Sequence, residues 1–146
     1  MQPSSRESVT SPAGGPPLKL LLIDDDAATL EVMVGAFERR GIPVLACADS
    51  RAVTDALAHD TAIGAIVTDL RMPGVDGFEV LRRARAWGDA HGAPVPVFVV
   101  TGHGTTEEEQ RALALGATLF LRKPLDLPVL LGHVRAALAR PQESRQ

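Results

Sequence analysis

Short runs of apolar residues alternate with longer amphipathic stretches between Leu18 and about Arg140. Most of the apolar runs are continuous rather than alternating, which is typical of strands buried on both faces of a parallel sheet. Strands that alternate with helical stretches in this way indicate an α/β domain. The predicted strands cover residues 19–23, 43–47, 65–68, 95–100 and 118–121.

Helices are predicted between and after these strands, where apolar residues recur at helical spacing. They cover residues 27–40, a stretch after Ser50, a stretch from about Asp76, residues 105–116 and residues 127–140. Asp26 is the expected N-cap of the first helix, and Trp87 is expected just beyond the third. Thr105 and Glu108 have the spacing of a capping box at the start of the fourth. Five strand–helix pairs predict a flavodoxin-like doubly wound (βα)5 fold, whose five-stranded parallel sheet has the order 2-1-3-4-5.

The chain length fits one domain, because 146 residues fall in the usual range for a single hydrophobic core. A composition of 45% hydrophobic and 23% charged residues indicates a packed globular protein rather than a disordered one. Residues 1–17 are rich in Ser, Pro and Gly and are expected to form a disordered tail. The domain is therefore expected over residues 18–140, followed by a short tail at 141–146. We expect no separate effector domain in this chain, so its output is expected to be a contact with another molecule.

The charge and the cysteine content argue against several kinds of partner and location. A net charge of −3 predicts no direct binding of nucleic acid and no attraction to an anionic membrane. No apolar run reaches the roughly 18 residues that a membrane span needs, and the first residues lack the apolar stretch of a secretory signal. The single Cys47 cannot form an internal disulfide. These features predict a cytoplasmic protein.

Polar residues follow four of the five predicted strands, at the edge where open parallel sheets bind ligands. They are Asp24, Asp25 and Asp26 after the first strand, Asp69 after the third, Thr101 and Gly102 after the fourth, and Lys123 and Pro124 after the fifth. The first and third strands are neighbours in the order 2-1-3-4-5. Asp24, Asp25 and Asp69 are therefore expected to converge.

A cluster of three carboxylates needs a cation or a proton to offset its mutual repulsion. Ligands that are all oxygen atoms favour a hard ion, and Mg²⁺ binds through one or two carboxylates together with phosphate oxygens and water. The charge of Lys123 can reach a phosphoryl group at this edge, and the Thr101 hydroxyl can donate a hydrogen bond to the same group. The pattern therefore predicts a phosphoryl site that contains Mg²⁺.

Four motifs at these strand ends resemble those of the receiver domains of bacterial two-component response regulators. They are LLLIDDD at 20–26, TDLRMPGVDG at 68–77, VVTGHG at 99–104 and FLRKP at 120–124. They occur in the same order as in that family, and the resemblance covers nearly all of residues 18–140. Among receivers, the chain resembles the stand-alone chemotaxis response regulators.

The resemblance implies a role for each matching acid. Asp69 is implied to be the phosphoacceptor and a metal ligand. Asp25 is implied to bind Mg²⁺ directly, and Asp24 largely through water. The backbone carbonyl of Arg71 completes the implied metal site, in which Mn²⁺ can substitute for Mg²⁺.

The remaining motif positions are implied to sense and to surround the phosphoryl group. Thr101 is the implied switch hydroxyl, Lys123 its charge partner, and Phe120 the aromatic residue whose rotamer reports the state. Pro124 is expected to follow a cis peptide bond. The expected rim of the site is formed by Arg71, Met72, Gly102 and His103.

The resemblance also implies function and partners. Such a domain accepts a phosphoryl group from a histidine kinase or a histidine phosphotransfer protein, and later hydrolyses the acyl phosphate itself. It is expected to catalyse only these reactions on itself and not to be an enzyme otherwise. Phosphorylation is expected to change the surface of the fourth helix, fifth strand and fifth helix, where a downstream protein docks or a homodimer forms.

Two alternative functions fit parts of the same pattern. A haloacid-dehalogenase-like phosphohydrolase also uses a strand-end Asp and Mg²⁺. Its first motif, however, needs Thr or Val where this chain has Ala28, and its later acidic metal pair is not found. A receiver-like adaptor that binds partners without phosphorylation is the second alternative, and the presence of all five principal site residues argues against it.

Overall fold

The computed structural model describes residues 18–60 and 62–139, in which five strands alternate with five helices. The strands are β1 (Lys19–Ile23), β2 (Val44–Cys47), β3 (Ile63–Asp69), β4 (Val97–Thr101) and β5 (Leu119–Arg122). The helices are α1 (Ala27–Glu38), α2 (Ser50–His59), α3 (Gly77–His91), α4 (Thr106–Ala114) and α5 (Leu127–Leu138). No helix in this described part is long and apolar enough to cross a membrane. The tails predicted at 1–17 and 141–146 lie outside the described residues.

All five strands are parallel and form one sheet in the order β2-β1-β3-β4-β5. The predicted flavodoxin-like fold and its strand order are therefore confirmed. The register pairs Ile23 with Thr68, Asp69 with Val100, and Thr101 with Arg122. This register places the carboxyl ends of β1, β3, β4 and β5 side by side at one edge of the sheet.

Helices cover both faces of the sheet, which explains why the strands are continuous apolar runs. Alternate residues of β1 point to opposite faces. Leu21 and Ile23 join a core cluster with residues of α2, α3 and α4, whereas Leu20 and Leu22 join a second cluster with residues of α1 and α5. The strand ends that carry the polar residues are thus fixed by packing from two sides.

Each helix begins at a polar side chain that accepts a hydrogen bond from a backbone N–H of its first turn. These N-cap residues are Asp26, Asp49, Asp76, Thr105 and Asp126. The predicted N-cap at Asp26 is confirmed, and Thr105 and Glu108 form the predicted capping box. All five caps stand in loops that follow a strand, at the edge of the sheet that carries the candidate site, so they also fix where those loops end.

Several boundaries differ by one or two residues from those predicted. β3 starts at Ile63 rather than residue 65, because its first residue pairs with Lys19 of β1. β4 starts at Val97, since Pro96 has no N–H to donate to the sheet. β2 starts one residue later than predicted, and β5 is shifted by one residue toward the C-terminus. Helix α1 ends at Glu38 rather than at residue 40.

Helix α3 is longer than predicted, and Trp87 lies inside it rather than beyond it. The sequence pattern is misleading here, because Gly88 is unfavourable within a helix and suggests that the helix ends before it. In the structure, a Cβ at Gly88 would lie 2.8 Å from the carbonyl oxygen of Ala93, so close packing against the next loop requires glycine. The helix ends instead at Gly92, whose φ of 77° is a left-handed conformation that suits glycine.

Candidate functional site

Four of the predicted site residues are linked to one another at the carboxyl edge of the sheet. Asp24 directly follows β1, Asp69 ends β3, Thr101 ends β4 and Lys123 follows β5. Lys123 Nζ lies 3.2 Å from Asp69 Oδ2 and 3.4 Å from Asp24 Oδ2. The Lys123 backbone N–H donates to the Thr101 carbonyl oxygen at 2.9 Å. The Lys123–Pro124 peptide bond that follows is cis.

Two carboxylates share the single ammonium group of Lys123. The side chain of Asp24 is 6% exposed, that of Asp69 14%, and that of Lys123 31%. Burial raises the pKa of Asp24 above its ordinary value, and the nearby charge of Asp69 raises it further. The Asp26 N–H and Lys123 lower this pKa, but by less. Partial burial lowers the pKa of Lys123, but Asp69 and Asp24 outweigh it and raise that pKa overall. When both are ionised, Asp24 and Asp69 therefore carry one more negative charge than Lys123 offsets.

Asp25 differs from Asp24, because its side chain is exposed. Asp24 turns inward, and the Asp26 N–H donates to its Oδ1 at 2.9 Å. Within residues 18–60 and 62–139, no group of three or more Asp, Glu, His or Cys side chains is arranged to hold a metal ion. Of the three carboxylates expected to converge, Asp24 and Asp69 contact the same Lys123 ammonium group, whereas the Asp25 side chain is exposed.

The donor atoms at this edge fit Mg²⁺. Asp24 and Asp69 present hard carboxylate oxygens, with more negative charge than Lys123 offsets. Mg²⁺ keeps several waters and needs only one or two carboxylates, so a closed cage of three acids is not required.

Thr101 and Phe120 are buried next to each other beneath the β4–α4 loop. Thr101 is 1% exposed and Phe120 9%. A Cβ added to Gly104 would lie 2.7 Å from Phe120 Cε1 and 2.8 Å from Thr101 Cγ2. The Phe120 ring therefore packs inward against this loop, and the His103 backbone N–H lies 3.4 Å from Thr101 Oγ1. Thr101, Gly104 and Phe120 therefore share one closely packed space.

The residues predicted to form the rim lie in two loops that follow β3 and β4. Gly102 and His103 are exposed in the β4–α4 loop, and Met72 packs partly buried against the core. The Arg71 backbone N–H donates to Asp69 Oδ1 at 3.1 Å. Its exposed side chain forms an ion pair with Glu108 of α4.

Glu108 is the residue that sequence reasoning missed at this site. Its position three residues after Thr105 identified it as part of a helix cap, and the cap is present. Glu108 also forms an ion pair with Arg71, which lies 37 positions earlier in the chain. No local pattern signals such a contact, because it depends on where α4 packs against the sheet.

A comparison with known protein families agrees with this geometry. The family model described as the response regulator receiver domain matches residues 20–135. The chain belongs to the response regulator receiver family. Receiver domains are signalling phosphoacceptors, and they interact with histidine kinases and downstream effectors. The resemblance stated from the four sequence motifs is therefore confirmed.

Two curated relatives and one solved structure show the extent of the similarity. The transcriptional regulatory protein FixJ of Azorhizobium caulinodans is 39% identical over 126 residues, which cover 86% of this receiver and 57% of FixJ. The response regulator MprA of Mycolicibacterium vanbaalenii is 36% identical over 124 residues, which cover 85% of this receiver and 52% of MprA. The receiver thus spans about half the length of these curated relatives. A crystal structure of a response regulator receiver protein from Pseudomonas putida matches with a TM-score of 0.73 and 31% identity, covering 82% of this chain and 96% of that one.

Proposed function

We propose that this receiver is a phosphorylation-activated switch whose phosphoacceptor is Asp69. The observation that supports the proposal best is the contact of Asp69 with Lys123 at the end of β3, beside Asp24. Of the two acids that contact the ammonium group, Asp69 is the more exposed, at 14% against 6%. It is therefore the one that a phosphodonor reaches more easily. The proposed donor is a histidine kinase or a histidine phosphotransfer protein.

The transfer is a displacement at phosphorus. An Asp69 carboxylate oxygen attacks the phosphorus of a phosphohistidine, and the P–N bond breaks as its electron pair returns to the imidazole nitrogen of the donor. Lys123 donates hydrogen bonds to the phosphoryl oxygens and offsets their charge. The Arg71 N–H, already bonded to Asp69 Oδ1, holds the carboxylate in orientation. Positioning and charge compensation supply most of the catalysis.

The proposed metal ligands are Asp24, Asp25, Asp69 and the backbone carbonyl of Arg71, with Asp24 acting largely through water. All of these ligands are oxygen atoms, as Mg²⁺ prefers. When bound, Mg²⁺, or Mn²⁺ in its place, supplies positive charge to the phosphoryl oxygens. We expect a chelator of divalent cations to prevent phosphorylation without unfolding the domain, because the core clusters do not depend on the metal.

The same site is proposed to remove the phosphoryl group. Water attacks the phosphorus, the bond to the Asp69 oxygen breaks, and its electron pair returns to the carboxylate as phosphate leaves. The signal is then self-limiting. Beyond its own phosphorylation and dephosphorylation, no reaction on another substrate is proposed.

The proposed output surface is formed by α4, β5 and α5. In the proposed switch, the Thr101 hydroxyl moves toward the phosphoryl group and the Phe120 ring follows, since the two side chains and Gly104 share one packed space. Three large apolar side chains are exposed in the described part of the chain. Leu113 of α4 at 44% and Val129 of α5 at 45% belong to the elements of this surface, and Val32 at 67% belongs to α1. A downstream protein or a second copy of the chain is proposed to bind there.

Phosphorylation by a small acyl phosphate tests the proposal. The protein is incubated with the donor and Mg²⁺, and its intact mass is measured. One added phosphoryl group is expected for the wild type and none for Asp69→Asn. Asp89→Asn, the same substitution on an exposed part of α3, is the matched control and is expected to label like the wild type.

The other outcomes separate the alternative functions. A folded wild type that gains no phosphoryl group would support an adaptor that works without phosphorylation. Sustained hydrolysis of an external phosphomonoester would support a phosphohydrolase instead.

A further inference from the structure

The side chain of Arg71 reaches from the β3–α3 loop to the start of α4. Its Nη2 donates to Glu108 Oε1 at 2.7 Å and to Glu108 Oε2 at 2.6 Å. The backbone N–H of the same residue donates to Asp69 Oδ1 at 3.1 Å. Arg71 therefore contacts the proposed phosphoacceptor through its backbone and α4 through its guanidinium.

Glu108 is the fixed partner in this ion pair, and Arg71 is the mobile one. The Thr105 N–H donates to Glu108 Oε1 at 3.1 Å, and the Glu108 N–H donates to Thr105 Oγ1 at 3.1 Å. These reciprocal bonds hold the Glu108 side chain on the first turn of α4, where it is 21% exposed. The Arg71 side chain is 55% exposed. Its guanidinium can leave Glu108 without disturbing the core.

A phosphoryl group on Asp69 adds a second anion within reach of the same guanidinium. The group carries a charge of about −2 near neutral pH, and guanidinium binds phosphate oxygens through paired, charge-assisted hydrogen bonds. Because Arg71 lies only two residues after Asp69, its short tether lets it turn from one anion to the other. Glu108 and the phosphoryl group then compete for one cation.

We propose that Glu108 is a positioning residue that holds the Arg71 guanidinium against α4 and away from the phosphoryl group on Asp69. Glu108 thereby sets how quickly that group is lost. The inference rests on the proposed function of Asp69 and goes beyond it, because it assigns control of the phosphorylated state to an α4 residue that does not touch the reacting atoms.

The direction of the effect follows from the chemistry of hydrolysis. Water must reach the phosphorus on the side opposite the Asp69 oxygen, the P–O bond breaks, and phosphate and a proton are released. In the proposal, the Arg71 guanidinium crosses the path of the attacking water, and this obstruction outweighs the charge compensation that it gives to the phosphoryl oxygens. While Glu108 retains Arg71, the approach stays open and the phosphoryl group is lost sooner.

The test compares the decay of the phosphorylated state among matched variants. Each protein is labelled with a small acyl phosphate and Mg²⁺, the donor is removed, and intact mass is followed over time. Glu108→Gln removes the charge but keeps the capping box, because Gln serves at this position as well as Glu. Glu107→Gln removes the same charge from the same exposed turn and is the control.

Glu108→Gln is expected to slow the decay about twofold to fivefold, the range that one partly exposed ion pair supplies. Glu107→Gln is expected to decay like the wild type. In an Arg71→Ala background, Glu108→Gln is expected to change nothing further, since no guanidinium remains to be released. A purely structural role of Glu108 in capping α4 would act equally in both backgrounds, so this comparison separates positioning from stability.

Each outcome bears on a defined claim. An unchanged or faster decay of Glu108→Gln, or an equal slowing in the Arg71→Ala background, would overturn the role of Glu108 while leaving the role of Asp69 intact. A folded wild type that takes up no phosphoryl group would refute both.

Discussion

Gly104 lies at a point in the β4–α4 loop where a larger side chain does not fit. A Cβ there would lie 2.7 Å from Phe120 Cε1 and 2.8 Å from Thr101 Cγ2. Ordinary carbon–carbon contacts are about 3.5–4.0 Å, so the Phe120 ring would have to move by about 1 Å. The ring is 9% exposed and has little room to do so. We predict that Gly104→Ala destabilises the domain and displaces Phe120.

The size of this effect can be isolated with a control in the same loop. Overpacking a core typically costs about 1–3 kcal/mol, and replacing Gly by Ala recovers about 0.4–1 kcal/mol by restricting the unfolded chain. A Cβ at Gly102 meets nothing within 4 Å, so Gly102→Ala restricts the unfolded chain without overpacking the core. The difference between the two variants is then the overpacking alone. At about 4 °C per kcal/mol for a domain of this size, Gly104→Ala should melt about 4–12 °C below Gly102→Ala.

Thermal unfolding measures this difference directly. Trp87 is the single tryptophan of the chain, and its fluorescence and far-UV circular dichroism both report unfolding. In a Phe120→Leu background the cost of Gly104→Ala should shrink, because the ring that the new methyl group meets is gone. Equal melting temperatures for the two Ala variants, or an undiminished cost in the Phe120→Leu background, would refute the packing described here.

Two further predictions concern groups away from the site. Burial raises the pKa of the Cys47 thiol to about 11, and Asp49 and Asp55 add to the rise. Iodoacetamide at pH 8 should therefore label Cys47 only in denaturant. Labelling of the native protein as fast as that of the denatured protein would contradict this. Partial burial raises the pKa of Asp60, but the Ala62 N–H at 2.8 Å and Lys19 at 2.9 Å outweigh it and lower that pKa overall. Asp60→Asn should therefore cost about 1 kcal/mol at neutral pH, a loss that shrinks as the pH falls below the ordinary Asp pKa of 3.8. Urea unfolding at several pH values checks this, and a pH-independent cost would argue against it.

The strand ends of this fold could be predicted because burial on both faces leaves little choice of residue inside the strands. Where a continuous apolar run stops at Asp24 or Asp69, the change in polarity marks the edge of the sheet. The alternation of strands and helices predicted a doubly wound parallel sheet, and in the flavodoxin-like order Asp24 lies beside Asp69. Lys123 joined them for the same reason, as the first charged residue able to turn inward after β5.

The details that depend on packing could not be predicted in this way. Whether Asp24 or Asp25 turns inward depends on the path of the chain after β1, which the run of three acids does not reveal. The ion pair of Arg71 with Glu108 exists only because α4 packs near the β3–α3 loop. The length of α3 was missed because Gly88 opposes a helix locally while close packing against Ala93 requires it. In each case a contact between distant segments outweighs the local pattern.

The most direct test of the central claim is to identify the residue that carries the phosphoryl group. The wild type is labelled with a small acyl phosphate and Mg²⁺, the acyl phosphate is reduced with borohydride to homoserine, and the peptides are sequenced by mass spectrometry. Conversion at Asp69 is the predicted result. Conversion at Asp24 or Asp25 instead, or no conversion in a protein shown to be folded, would contradict the assignment of Asp69 as the phosphoacceptor.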